Sequence, residues 1–182
     1  MNKKKLLIAI SLIVFGTLTR LLLTDLPNVE TITITALLAG SLLGGGYAIV
    51  IALTVTALTD MYLGNDSILI FTWSAFALIG LAGVVLKKTK KNNPKYIAGM
   101  TGLGVLASLL FFFYTNFGVW LLWPGMYART FQGLIQCYVM GLPFLKYNLI
   151  GNLIIIPIVT STVVYVPQWV RMKITKEKKL ES

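Results

Sequence analysis

The sequence predicts an all-α integral membrane protein: six transmembrane helices, with an additional half-buried helix between spans 5 and 6. Composition is the first observation, since 57% of the 182 residues are hydrophobic and 12% charged, about half the charged fraction of a soluble domain. Mean hydropathy is +0.81. The second is that apolar residues run in stretches of about 20, the length that crosses a ~30 Å hydrocarbon core. The third is charge placement. Lys3, Lys4 and Lys5 open the chain, Lys87, Lys88, Lys90, Lys91 and Lys95 cluster in the middle, and Arg171, Lys173, Lys176, Lys178 and Lys179 close it. Such clusters retain the cytoplasmic ends of spans. The net charge of +10 is therefore a topology signal, and no nucleic-acid partner is expected.

Taken in order, span 1 is 6-23, Leu6–Leu23. Met1–Lys5 before it looks like the start of a signal peptide, but the apolar run is longer than a signal core and lacks a small-residue cleavage site. It is read as a retained span. Thr24–Glu30 is a polar turn. Thr31–Leu63 holds one charge, Asp60; as one helix it would be about 50 Å long, too long without strong tilt. Gly44, Gly45 and Gly46 disfavour helix by about 1 kcal/mol each and divide the stretch into a short span 2 (31-44) and span 3 (47-63). A span that short needs neighbours around its ends. Span 4 is 68-86, the cytoplasmic loop is 87-95, and span 5 is 96-119. Trp120–Lys146 is the half-buried or re-entrant segment, and 147-170 is span 6. The whole chain, 1-182, is one membrane domain.

Six spans bring all three basic clusters to one side, with both termini cytoplasmic, and leave Asp25, Glu30, Asp60 and Asp66 at or near the other. Five spans would place the last cluster outside, against the positive-inside rule. The expected location is the cell membrane, in contact with membrane lipid. Lys87–Lys95 reads as a solvated loop, with lipid head-group binding as its alternative.

Several chemistries are excluded. A lone Cys137 cannot form an intramolecular disulfide, and a chain without histidine offers no His-based metal or haem site, no Ser-His-Asp triad and no HExxH metalloprotease. There is no G-x-x-x-x-G-K-[ST] phosphate loop. No cofactor or metal is expected, and no catalysis.

The non-cytoplasmic end collects the unusual residues. The first turn brings Arg20, Asp25, Asn28 and Glu30; the turn after span 3 brings Asp60, Tyr62, Asn65 and Asp66, with Trp73 just below. Span 5 ends in Tyr114, Asn116 and Trp120, followed by Trp123, Tyr127, Arg129, Gln132, Gln136 and Tyr138. Asn116 and Trp120 share a helical face, as do Gln132 and Gln136. Aromatic walls with a few aimed polar groups are the usual small-molecule pocket. Simpler readings stand beside this one. Arg20 snorkels or pairs with Glu30 or Asp60, the tryptophans form an interfacial belt, and Asp60 caps its turn. Gly40, Gly44 and Ala48, four apart, read as close helix packing.

Arg20 followed by Leu26-Pro27-Asn28-Val29-Glu30, the run from Thr31 to Gly40, the glycine break, Thr59-Asp60-Met61-Tyr62-Leu63-Gly64-Asn65 and the span from Phe71 to Gly83 resemble the substrate-binding S components of energy-coupling factor (ECF) transporters. The later segment, from Tyr114 to Trp120, Gly133 to Tyr138 and Gly141 to Phe144, resembles a related uncharacterised family of small six-span proteins. The ECF resemblance covers roughly residues 15–85. It implies a six-helix protein that captures a vitamin or similar micronutrient outside, then passes it inward with a transmembrane coupling protein and two ATPase subunits. Trp73, Asn116, Trp120, Arg129, Gln132 and Gln136 would line the substrate pocket, with Arg129 on an anionic or carbonyl group and Trp120 on a ring. Arg20, Asp25, Asn28, Glu30, Asp60 and Asn65 would form its lid or rim. Only Ala9, Ser11 and Gly16 answer the small-residue docking surface of the family's span 1. Competing readings are a structural or assembly membrane protein with no small-molecule ligand, and a solitary ion-coupled transporter using Asp60 and Glu30.

Overall fold

The computed structural model describes the backbone of residues 3–26, 28–64 and 68–180, and side chains as far as Trp169. The expectations for Pro27, Asn65, Asp66 and the closing basic cluster's side chains lie outside the described residues.

Among the described residues the protein is all-helical: α1 Lys3–Leu22, α2 Ile32–Leu42, α3 Gly45–Leu63, α4 Leu69–Gly83 (continued by a 3-10 turn, Val84–Leu86), α5 Pro94–Leu122 and α6 Phe131–Leu180. Five of these helices are long and apolar enough to cross a membrane, α2 being the short one. This is the architecture of a multi-pass membrane protein. We call the end that carries the α1–α2, α3–α4 and α5–α6 connections the upper end.

The glycine break falls where propensity places it. Helix α2 stops at Leu42 and α3 starts at Gly45, with Gly44 between them at φ 107°, a conformation open to residues without a Cβ. The 11 residues of α2 rise only about 16 Å, yet every one from Ile32 to Ser41 is buried, because α1, α3, α4, α5 and α6 all pack against it. Its neighbours enclose it along its length. The upper end of α2 is capped by Glu30, whose carboxylate accepts from the Thr33 amide at 2.9 Å and the Thr33 hydroxyl at 2.5 Å; a negative group there also suits the helix dipole. At the lower end the Ser41 and Tyr96 hydroxyls share a hydrogen bond of 2.6 Å, with Tyr96 fully buried. Tyr96→Phe leaves the buried Ser41 hydroxyl with only its 3.3 Å bond to the Leu38 carbonyl and is expected to destabilise by about 1 kcal/mol, measured by thermal unfolding in detergent.

The α2–α4 crossing is made by small residues. A Cβ on Gly40 would lie 2.1 Å from the Gly80 carbonyl oxygen, and one on Gly83 would lie 2.3 Å from that of Leu37. Lipid tails are as apolar as leucine, so helices in a bilayer gain from close approach rather than from hydrophobic exclusion. The predicted role of Gly40 and Ala48 in packing holds, since Ala48 faces Gly80 on the other side. On α1, Ala9 and Gly16 are buried, with Gly16 turned toward Thr35 and Val55, so two of the only three small residues available for a docking surface face the bundle.

The last part of the chain differs from expectation. No break separates the segment ending at Lys146 from span 6, because the helix is continuous from Phe131 to Leu180, with Pro143, Pro157 and Pro167 inside it. The segment expected to be half-buried or re-entrant, Trp120–Lys146, is divided instead between the end of α5, the 123–130 connection and the upper part of α6. The 29 residues of α5 reach about 43 Å and give that extension a wall to pack against. Gly141 meets Asn116 and Phe112, and Gly104 meets Ile156. Prolines are tolerated in membrane helices where neighbours supply what the missing N–H cannot. The apolar part, Phe131–Trp169, has 39 residues, a rise of about 58 Å and nearly twice the hydrocarbon thickness.

In the basic loop, Lys91 folds back onto the protein. Its Nζ donates to the Leu86 carbonyl at 2.6 Å and lies 4.3 Å from the centre of the Tyr96 ring. Burial lowers its pKa from the ordinary lysine value.

Candidate functional site

A cavity of about 590 Å³ opens in the upper half between α4, α5, α6 and the α1–α2 turn, a volume typical of small-molecule sites. Helical periodicity builds it. On α5, Ser108, Phe111, Phe112, Thr115, Asn116 and Val119 recur every three or four residues along one face, and on α6 so do Gly141, Phe144, Leu145 and Asn148. Ile68 and Thr72 come from the start of α4, and Asn28 from the turn. Trp123, Met126 and Tyr127 reach it from the 123–130 connection.

The floor is a hydrogen-bonded ladder. Asn28, at φ 56°, adopts the left-handed conformation that asparagine tolerates better than most residues. Its carbonyl accepts from Asn148 Nδ2 at 3.2 Å. Asn152 Nδ2 donates to Asn148 Oδ1 at 3.1 Å and to Ser108 Oγ at 2.9 Å. Asn152 is 2% exposed, and its Oδ1 has no hydrogen-bond partner. Val29 rests on Gly151. The turn therefore meets α6 some seven to ten residues below Gly141, about 10–15 Å down the helix axis, and the cavity occupies the space above it.

Of the six residues expected to line a pocket, Asn116 does. Its Nδ2 donates to the Phe112 carbonyl at 2.8 Å, and a Cβ at Gly141 would lie 2.5 Å from its Oδ1; position 141 is small so that Asn116 fits. Trp73 instead donates from Nε1 to Asp60 Oδ2 at 2.7 Å. Trp120 and Arg129 hold the 123–130 connection. Trp120 Nε1 donates to the Ala128 carbonyl at 2.9 Å, Arg129 donates to the Leu121 carbonyl, and the guanidinium lies 5.5 Å from the Trp120 ring centre. Gln132 and Gln136 are exposed, on the outer side of α6.

Of the rim residues, Asn28 lines the cavity. Asp25 is exposed, and Glu30 is committed to the start of α2. Arg20 and Asp60 form an ion pair of 2.8 Å, their side chains 20% and 5% exposed, and Arg20 also donates to Thr59 Oγ1. This joins α1, α3 and α4 in one polar cluster, and of the readings open for Arg20 the structure selects the pair with Asp60.

Sequence reasoning did not single out Ser108, Thr115, Phe144, Asn148 or Asn152. The signal of the four polar ones was their helical spacing inside apolar spans, where such residues at membrane depth face a cavity or a partner; Phe144 carried none. Among the described residues no group of three metal-ligating side chains comes together.

Residues 1–174 match a family described as a family of unknown function, DUF6580. No curated protein and no solved structure matches the chain.

Proposed function

The chain belongs to the DUF6580 family of unknown function, and from that premise we propose that it is a membrane-embedded capture protein, binding a small molecule at the outer face and passing it inward with an ATP-driven coupling module. The observation that carries this reading is the cavity of about 590 Å³, walled by aromatic rings, floored by neutral polar groups and placed at one end of the bundle. A solitary alternating-access transporter usually holds its site near the midplane, between repeated halves; a site at one end suits capture.

In this reading α2 counts as a sixth crossing, the upper end faces outward, and the termini and the Lys87–Lys95 loop are cytoplasmic. The ECF-type arrangement, with a transmembrane coupling protein and two ATPase subunits, supplies the energy that this chain lacks a phosphate loop to use. Asp60 and Glu30, proposed as coupling groups in an ion-driven alternative, are engaged by Arg20 and Trp73 and by Thr33 respectively, which favours a structural role for both.

The test is purification in mild detergent followed by mass spectrometry of the compound that travels with the protein. A stoichiometric small molecule is expected. Asn148→Ala should lower its affinity about tenfold, the loss of one hydrogen bond of about 1.4 kcal/mol. An empty protein that shows no thermal shift with a panel of vitamins and nucleobases would transfer the argument to an assembly protein whose polar end docks a partner.

A further inference from the structure

Resting on the capture reading, we propose that the cavity takes an uncharged ring compound that carries neutral hydrogen-bonding groups, such as an amide, lactam or hydroxyl. The polar groups on the wall are neutral: Asn28, Thr72, Ser108, Thr115, Asn116 and Asn148. No lysine, arginine, aspartate or glutamate lines the cavity among the described residues.

The described charges at this end are either engaged elsewhere or stand in the open. Arg20 and Asp60 hold each other, Glu30 holds the start of α2, and Arg129 is turned to the Leu121 carbonyl and the Trp120 ring. Asp25 and Lys146 are exposed. A carboxylate, phosphate or ammonium entering this space would leave water without meeting a counter-charge among the described lining residues, and an unpaired charge in a low-dielectric site is far costlier than a neutral polar group.

Asn152, buried and not itself a lining residue, donates to Ser108 and Asn148, which do line the cavity, and so fixes the hydroxyl and amide that a neutral polar group meets there. Rings stack on the walls, where Phe111, Phe112, Phe144, Trp123 and Tyr127 gather.

Accessibility of introduced cysteines tests this on the full-length protein in proteoliposomes. With Cys137→Ser as background, Ser108→Cys and Thr115→Cys are treated with methanethiosulfonates carrying a methyl, a sulfonatoethyl or a trimethylammonioethyl group. Rates are normalised to those at Met61→Cys, a position that is 87% exposed. The expected result is labelling by the neutral reagent at least tenfold faster than by either charged one, at both sites.

Equal labelling by a charged reagent at either site overturns the proposal, as does failure of the neutral reagent at both. So does a co-purified compound that bears a carboxylate, phosphate or ammonium group. The two sites guard against one variant failing to fold. Failure of capture itself is read separately, from the empty extract, whereas charge selectivity is read from the labelling rates whether or not a compound is bound.

Discussion

Replacing Arg20 by methionine is expected to lower the stability of the folded protein by about 3–5 kcal/mol, the usual cost of leaving one member of a buried ion pair alone. The asymmetry of exposure sets which partner matters more. Asp60 is 5% exposed and Arg20 20%, so an orphaned carboxylate stays buried beside Trp73, while an orphaned guanidinium on its long stem reaches toward the upper surface. Asp60→Leu should therefore cost less than Arg20→Met. The double variant, Arg20→Met with Asp60→Leu, should be more stable than Arg20→Met alone, because two apolar groups leave no buried charge. Thermal unfolding in detergent reads all three, with a fall of about 10 °C expected for Arg20→Met. An unchanged melting temperature for that variant would mean that the pair contributes nothing and that α1 is held by packing alone.

Gly40→Val is expected to prevent assembly of the bundle. Most overpacked cores lose about 1–3 kcal/mol because side chains shift. Here the obstacle is backbone: the new Cβ would stand 2.1 Å from the Gly80 carbonyl oxygen and 3.1 Å from the Val84 nitrogen. Neither can move unless α2 and α4 part, and α2 is the helix on which every other one packs. The yield of monodisperse protein in size-exclusion chromatography should collapse. Gly102→Ala is the matched control, since a Cβ there meets nothing within 4 Å; it should gain up to about 1 kcal/mol from helix propensity. Survival of Gly40→Val with unchanged stability would show that the two helices part without loss.

The fold was legible where periodicity and propensity act locally. Three glycines announced the α2–α3 break, and Gly40 with Ala48 announced a close crossing. The continuity of α6 was hidden, because Pro143 and the polar residues from Arg129 to Gln136 carry the local signs of a connection, and only the length of α5 beside them makes a helix there worthwhile. The site was legible in part. Loop and span-end residues attracted attention because they are conspicuous in an apolar chain. The structure, however, uses most of them to close the bundle: Arg20 with Asp60 and Trp73, Arg129 with Trp120, Glu30 with Thr33. Pairing across helices cannot be read from spacing within one. Ser108, Thr115 and Asn148, quieter residues deep in their spans, line the cavity instead.

The brevity of α2 carries a further consequence. A column of the bundle that is filled by helix only in its lower part leaves a vacancy above that owes nothing to trimmed side chains. On the capture reading proposed above, a change of cargo would fall in the walls contributed by α5 and α6, apart from the tight α2–α4 crossing at Gly40 and Gly83.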